Sequence, residues 1–410
     1  MNLSRILTFA WRYFSAKKST NAINIISWVS VTAIMFGTAS LIIILSAFNG
    51  FESLVKSLYA SFYPDIKISP LKGKVITLTQ EQINAIRGVE GIQAISFTAE
   101  TKALIQHDWL QAVVHLKGVD SNYIHVAGVS SSLYRGRYAT GTLERPEMVM
   151  GVGVEQSLGL LSDRAIYPIS VYLPKNTGQQ FADPMQALGV AMAYPTGSFA
   201  IQSEFDNKYV ITNLTFLKSY LGYKQDEYGS VEIKLSTLAS PETVITKIRD
   251  LLGSGYVVQS RYEQNSMLYN TIKMEKLAIY GIFSLILIVA AFTMIGALSM
   301  LVVEKKKDIH IMKAMGANNS IIQKIFMAEG FLLACIGTCG GISIAMLLYH
   351  LQTNYKLIPL DGATFLIDYY PVKLVVSDFI LVISTVMTIG LLASWIPSRR
   401  AALSSISLQN

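Results

Sequence analysis

Residues 25–48 read IISWVSVTAIMFGTASLIIILSAF, a stretch without one charged side chain. A helix crosses a hydrocarbon core of about 30 Å with about 20 residues, so this stretch is long enough to span a membrane. Three later runs match it. Leu277–Val303 is uncharged, Ile325–Tyr349 carries only Glu329, and Leu374–Ile396 carries only Asp378. One run lies near the N-terminus and three lie in the last third of the chain. Between them, residues 49–273 read as a domain outside the bilayer. The spacing predicts an α+β membrane protein: four transmembrane helices, with a large extracytoplasmic α/β domain between spans one and two.

Composition agrees. The chain has 410 residues, 51% hydrophobic and 15% charged, and its mean hydropathy is +0.41. Soluble domains carry about 25% charge. A disordered chain is poor in apolar residues, and a disulfide scaffold needs more than 2 Cys, so both classes are excluded. The formal charge of +7 is explained by its placement. Arg5, Arg12, Lys17 and Lys18 precede span one, Lys305–Lys307 and Lys313 follow span two, and Arg399 and Arg400 follow span four. Short loops rich in Lys and Arg stay in the cytoplasm. Both termini and the loop between spans two and three are therefore expected there, with the large domain on the other side. Nucleic-acid binding is not needed to account for the charge. The first apolar run exceeds the roughly 7–15 residues of a signal-peptide core and lacks a small-residue cleavage site, so it reads as a retained anchor.

The expected domains are an amphipathic N-terminal helix (1–24), span one (25–48), the outer domain with helical stalks (49–273) and span two (274–303). A cytoplasmic loop (304–324), span three (325–350), an outer loop (351–373), span four (374–396) and a tail (397–410) follow. Leu3, Ile6, Leu7, Ala10, Trp11 and Phe14 recur at helical spacing, as in a helix lying on a membrane surface or on a partner. After span one, Phe51, Leu54, Val55, Leu58 and Phe62 keep the helical period until Pro64 ends it. Strands are expected at Asp65–Ser69, Ile92–Phe97, Ala103–Gln106, Ala112–Gly118, Val231–Leu235 and Tyr256–Gln259. Helices are expected at Thr79–Arg87, capped by Thr79, and at Pro241–Leu252, opened by Ser240 and Pro241. Two β-α-β units would form one layer, with residues 121–230 as a β-rich insertion. Glu263–Lys276 reads as a second stalk.

Motifs that carry chemistry are missing from the sequence. No G-x-x-x-x-G-K-S/T, H-E-x-x-H, C-x-x-C or G-x-S-x-G occurs. The His residues lack metal-ligand spacing. Glu329 and Asp378 sit near helix ends, where their carboxylates are expected to reach the interface. An energy-coupled carrier built this way takes its energy from a partner. Gly337 and Gly341 form a G-x-x-x-G pair, expected to pack helices closely. In the loop EKKKDIHIMKAMGA (304–317), Ile309, Met312 and Met315/Gly316 share a helical face behind a basic collar. Such a face either seats in a partner's groove or is a solvated basic loop, and Gly316 supplies a helix stop.

The same loop resembles the coupling region of FtsX-like/MacB-like ABC transporter permeases. Glu304, Lys305, Asp308, Ile309, Ile311, Lys313, Met315, Gly316 and Ala317 match its pattern. Ile25–Ser30, and Leu45–Glu52 with its Asn49-Gly50-Phe51-Glu52 exit, resemble the lipoprotein-releasing LolC/LolE group. Met148–Leu161, and Arg399-Arg400-Ala401-Ala402 after Pro397, resemble two further stretches of that family. The tail departs from the pattern at Ser404-Ser405-Ile406, where a Pro is usual, and the motifs do not separate LolC-like from LolE-like.

The resemblance implies a permease subunit without an ATPase site or cofactor of its own. It would pair with a second permease copy or paralogue, and with an ABC ATPase subunit that binds ATP and Mg. Glu304, Lys305, Lys306, Asp308, Ile309, Met312, Lys313, Met315 and Gly316 would couple to the ATPase. A triacylated lipoprotein would leave the outer leaflet of the bacterial inner membrane through a cavity lined by residues such as Ile34, Met35, Leu41, Phe48 and Phe51, and pass to a periplasmic carrier. The alternative within the family is a mechanotransmitting permease that activates a periplasmic enzyme and moves no substrate. An efflux permease usually carries a fused ATPase, which this sequence lacks, and a membrane enzyme would need a catalytic motif.

Overall fold

The computed structural model describes residues 21–174, 188–360 and 369–403. Residues 1–20 of the N-terminal helix expected over 1–24, and the end of the tail, lie outside them. In chain order the main elements are α1 (Asn21–Phe62), β1 (Ile66–Pro70), β2 (Ile76–Thr77), α2 (Gln80–Arg87), β3 (Ile92–His107), β4 (Leu110–Val119), β5 (Leu133–Gly136) and β6 (Glu147–Gly151). There follow β7 (Ile169–Pro174), β8 (Leu188–Phe199), β9 (Tyr209–Asn213), α3 (Leu214–Leu221), β10 (Glu227–Tyr228), β11 (Ser230–Leu235), α4 (Pro241–Leu252) and β12 (Tyr256–Ser260). The chain closes with α5 (Ser266–Glu304), α6 (Lys306–Ala314), α7 (Asn319–Tyr355) and α8 (Val376–Leu403). Two compact units emerge: a bundle (up to 53, 270–359, from 369) and a domain (54–269).

The bundle holds four helices long and apolar enough to cross a membrane. Each outruns its expected span. α1 has 42 residues, about 63 Å at 1.5 Å per residue, twice a hydrocarbon core. It runs without a break from the apolar stretch through the stalk and stops before Pro64. The cytoplasmic tail expected from residue 397 is still helix as far as Leu403, through Pro397. Lipid is as apolar as leucine, so bundle helices associate by close packing rather than by escape from water. The small residues show it. A side-chain carbon at Gly337 would lie 2.8 Å from Ile34 Cγ2, and one at Gly341 2.6 Å from the Met35 carbonyl oxygen, so α7 lies directly on α1. Gly37 meets Leu287 of α5 in the same way at 2.8 Å. Several hydroxyls inside the helices bond to their own backbone, as in Ser46 Oγ to Ile42 O (2.7 Å) and Thr338 Oγ1 to Ala334 O (2.7 Å), which removes the cost of an unpaired donor in lipid; Thr38 Oγ1 and Ser284 Oγ are buried without a partner among the described residues. Glu329 differs from the expectation. It is 2% exposed, enclosed by the bundle rather than reaching the interface.

In the domain the two β-α-β units interleave. The sheet order begins β12-β1-β11-β3, all antiparallel neighbours. Each unit's strands are thus separated by a strand of the other, the split β-α-β arrangement. Helices α2 and α4 cover it with Ile83, Ile86, Val244, Ile245 and Ile248, which join one core with Ile66, Ile68, Val231 and Ile233. Thr79 caps α2 in a reciprocal box with Gln82. Ser240 occupies the N-cap position of α4, but its Oγ bonds Glu242 instead of the backbone. The separate strands expected at 92–97 and 103–106 are one strand, β3, because Thr98–Thr101 stay extended and pair on to β4. The region 121–230 is not a layer apart. β9 pairs parallel with β4, and β7 pairs with both β3 and β8. The path β3-β4-β9-β6-β8-β7 returns to β3, so the insertion closes a ring on the same sheet.

Candidate functional site

Four places in the chain stand out, and each is built differently. The first is α6, between α5 and α7. It is short, with Lys305 at its N-cap and Gly316 beyond its end at φ +89°, a conformation that favours glycine. Its faces are not divided as the sequence suggested. Ile309 is fully buried in the bundle core, and Met312 packs against that core. Lys313 Nζ donates to the Ala402 carbonyl (2.8 Å), capping the C-terminal turn of α8. Lys305 pairs with Asp308 at 3.5 Å, and Glu304 is half-buried. What remains outward is Lys306, Lys307, Ile311, Ala314, Met315 and Gly316, with Ile311 at 58% and Met315 at 77% exposure. Ile309 and Lys313 thus anchor α6, while Ile311 and Met315, one turn apart, offer its knobs. Ile309 as a direct contact is corrected by its burial.

The second place is the apolar face of α1. Ile34 (4% exposed) and Leu41 (0%) are enclosed within the bundle, Ile34 against Gly337. Met35 is half-buried over Gly340. Ile34 and Leu41 therefore do not line an open cavity of this chain. Phe48 is half-buried, and Phe51 stacks on Tyr370 with centroids 6.4 Å apart. Among the open apolar positions are Trp28, Val29 and Phe36 on α1, and Leu285, Val289 and Phe292 on α5.

The third place was not foreseen. Where α1 leaves the bundle, Asn49 Nδ2 donates to Asp378 Oδ2 (2.6 Å) and Lys276 Nζ donates to Asn49 Oδ1 (2.6 Å). Lys276 and Asp378 lie 3.5 Å apart. One amide thus joins α1, α5 and α8, and bonds to charged groups are the stronger kind. Beside it, Lys373 N–H donates to the Ser46 carbonyl (2.9 Å). A carbon on Gly50 would fall 2.2 Å from the Pro371 carbonyl oxygen, so only glycine lets the segment before α8 lie on α1. The signal was present: Lys276 and Asp378 each border or interrupt an uncharged run, and Asn49-Gly50 follows another.

The fourth place lies within the domain, where the stalks end. Phe62 is buried against Phe205 (centroids 4.4 Å) and Tyr209 (4.5 Å), and Tyr59 OH donates to Glu204 Oε2 at 2.5 Å. Lys117 Nζ lies 5.2 Å from the Phe62 ring and 2.8 Å from Glu232 Oε1, with both members of this pair almost wholly buried. Burial alone would lower the Lys117 pKa, but the attraction of Glu232 and Tyr123 outweighs it and holds the ammonium above its usual range. Arg261 Nη2 donates to Asp65 Oδ1 (2.6 Å), and its Nε donates to the Tyr63 carbonyl (3.2 Å). The backbone following α1 is thereby tied to the backbone preceding α5.

Comparisons with known proteins agree with this layout. The family model described as MacB-like periplasmic core domain matches residues 27–251, and that described as FtsX-like permease C-terminal matches residues 280–406. The lipoprotein-releasing system transmembrane protein LolE of Haemophilus influenzae is 25% identical over 407 residues, covering 96% of each chain. The lipoprotein-releasing system transmembrane protein LolC of Neisseria meningitidis serogroup B is 24% identical over 412 residues, again 96% of each chain. The crystal structure of the periplasmic region of MacB from Actinobacillus actinomycetemcomitans aligns at 11% identity and a TM-score of 0.36, over 53% of this chain and 98% of that one. The first family model alone covers over half of the chain, and the chain belongs to the FtsX-like/MacB-like family of ABC permeases, in its LolC/LolE-like group.

Proposed function

We propose that this permease extracts lipoproteins from the outer leaflet of the inner membrane and passes them to a periplasmic carrier. The observation that carries this reading is the end-to-end likeness to lipoprotein-releasing permeases, at 96% of both chains for LolE and for LolC. Both termini and α6 lie in the cytoplasm on this reading, as the Lys and Arg distribution favours. A separate ABC ATPase subunit binds ATP and Mg and seats on α6 through Ile311 and Met315. A second permease copy or paralogue faces the open apolar side of α1 and α5. The acyl chains of a triacylated lipoprotein then run between the two permeases along Val29, Phe36, Leu285, Val289 and Phe292. An apolar path is needed, because exposing each methylene to water costs about 0.8 kcal/mol. ATP-driven closure pushes the chains outward, and the stalks carry the movement to the domain.

A second reading, transmission of force to a periplasmic enzyme without cargo, draws on the unbroken run of α1 from bundle to domain. Depletion of the chain in its host separates the two. Lipoproteins of the outer membrane should accumulate in the inner-membrane fraction. Normal lipoprotein sorting, with loss of a periplasmic hydrolase activity, would establish the second reading instead.

A further inference from the structure

A crevice of about 160 Å³ opens in the bundle between α1, the end of α7 and the segment that precedes α8. Ile43 and Ala47 form one wall, Ala345 and Leu348 another, and Ile358 and Tyr370 close the top. It stands apart from the open face of α1 and α5. The amide and the serine hydroxyl at its edge are already bonded. Gln352 donates to the carbonyls of Ile358 (3.3 Å) and Tyr370 (3.0 Å) and accepts from the Ile358 N–H (2.9 Å). Ser46 bonds its own helix. A cavity of about 150 Å³ with apolar walls stays dry and takes a hydrocarbon the size of benzene. This one therefore suits a segment of roughly six to eight methylenes. Its shape favours a chain over a ring. From Ala345 to Gln352 it follows α7 for about 10 Å, along the direction in which bilayer chains lie. Leu348 is 42% exposed and Ile358 59%, so the crevice opens sideways to lipid.

Two cations stand at the top. Lys356 follows α7 directly, and Lys373 follows the lining residue Val372. Among the described residues neither has a carboxylate partner: Lys356 Nζ lies over the Tyr369 ring (4.3 Å) and Lys373 Nζ reaches Ser53 Oγ (3.5 Å). Lys356 also sits at φ +50°, a helix-end conformation that glycine or asparagine adopts at lower cost. A lysine held there supplies a charge that glycine would not. An apolar slot beside two ammonium groups that meet no carboxylate among the described residues complements an acyl chain below a phosphate. The acylated cysteine of a lipoprotein has no phosphate to meet them.

We propose that this crevice binds one acyl chain of an anionic phospholipid of the outer leaflet, with its phosphate at Lys356 and Lys373. This site is independent of the cargo path and takes from the proposed function only the membrane orientation.

The test places the full chain in nanodiscs of phosphatidylethanolamine with a phosphatidylglycerol carrying a diazirine near the end of one acyl chain. After irradiation, the labelled peptides are mapped by mass spectrometry. Adducts should concentrate on 43–47 and 345–352, and should fall at least fivefold in Ala47→Leu and in Ala345→Leu. Adducts on the exposed face of α5, around Leu285–Phe292, should not change, which shows that the variants remain folded. The double variant Lys356→Gln/Lys373→Gln should lose the preference over a phosphatidylethanolamine probe while keeping the location. Even labelling of all exposed faces, or labelling unmoved by the filled variants, would overturn the proposal. So would displacement of the probe by a triacylated lipopeptide but not by excess phosphatidylglycerol, which would assign the crevice to cargo.

Discussion

Asn49 connects three helices through one amide, with bonds of 2.6 Å to both Lys276 and Asp378. Hydrogen bonds to charged groups contribute about 1.5–3 kcal/mol each, so Asn49→Ala should destabilise the bundle by about 2–4 kcal/mol. Denaturant titration of the full chain in detergent reads this, and an unchanged midpoint would show that the cluster is not a clamp. Asp206, in the domain, is a different case. Burial raises its pKa to about 6 despite the Ile201 and Gln202 N–H groups that favour its charge. Its folded pKa exceeds the unfolded value, so the folded state binds the extra proton. Stability from this group is full below about pH 4 and is lost as pH rises through 6, by up to about 3 kcal/mol. Asp206→Asn should flatten that slope, and hydrogen exchange of the domain amides at pH 4.5 and 7 measures it; a variant with the same slope would rule the group out. Local chemistry was legible at this scale. Thr79 and Pro241 announce their helices because a cap acts within one turn. Of the Asn49 cluster the sequence shows only that Lys276 and Asp378 stand beside or within uncharged runs; that they meet at Asn49 was hidden, since the members lie far apart in the chain.

Among elements, α6 gives the clearest contrast. Its helix and its stop at Gly316 are written in the sequence. Which side faces the bundle is decided by the core that receives Ile309 and by the Ala402 carbonyl that receives Lys313, and neither is visible in the loop itself. The division makes separable predictions. Met315→Asp, on the exposed side, should reduce copurification of the ATPase subunit at least tenfold while leaving the thermal stability of the permease unchanged. Ile309→Ala opens a buried site and should lower stability by about 2–5 kcal/mol, with ATPase binding lost only as far as the fold is. Equal loss of binding and unequal stability in both variants would place Ile309 at the contact after all. The same distinction applies to α1. Its apolar period identified a span, but Ile34 and Leu41 were indistinguishable from Val29 and Phe36 by composition. Only the glycine row of α7 determines which side is covered.

At the scale of the whole molecule, the described residues form four long, largely apolar helices and, between the first and second, an α/β domain in which the backbone following α1 is tied to the backbone preceding α5. Length and hydropathy were enough to read the four spans and the domain between the first two, but not the interleaving of its two β-α-β units. The ring closed by β7, β8 and β9 was hidden, because β4 with β9 and β3 with β7 pair strands far apart in the chain, which leaves no short-range mark. The central claim is that this chain, with an ATPase, turns hydrolysis into lipoprotein release. The most direct measurement reconstitutes the permease with its ATPase in liposomes containing a labelled triacylated lipoprotein, adds a soluble periplasmic carrier, and compares transfer with and without ATP. ATP-dependent appearance of the label on the carrier, lost in Phe36→Asp, is the predicted result. Sustained hydrolysis with no transfer, using a carrier already proven competent, would contradict it.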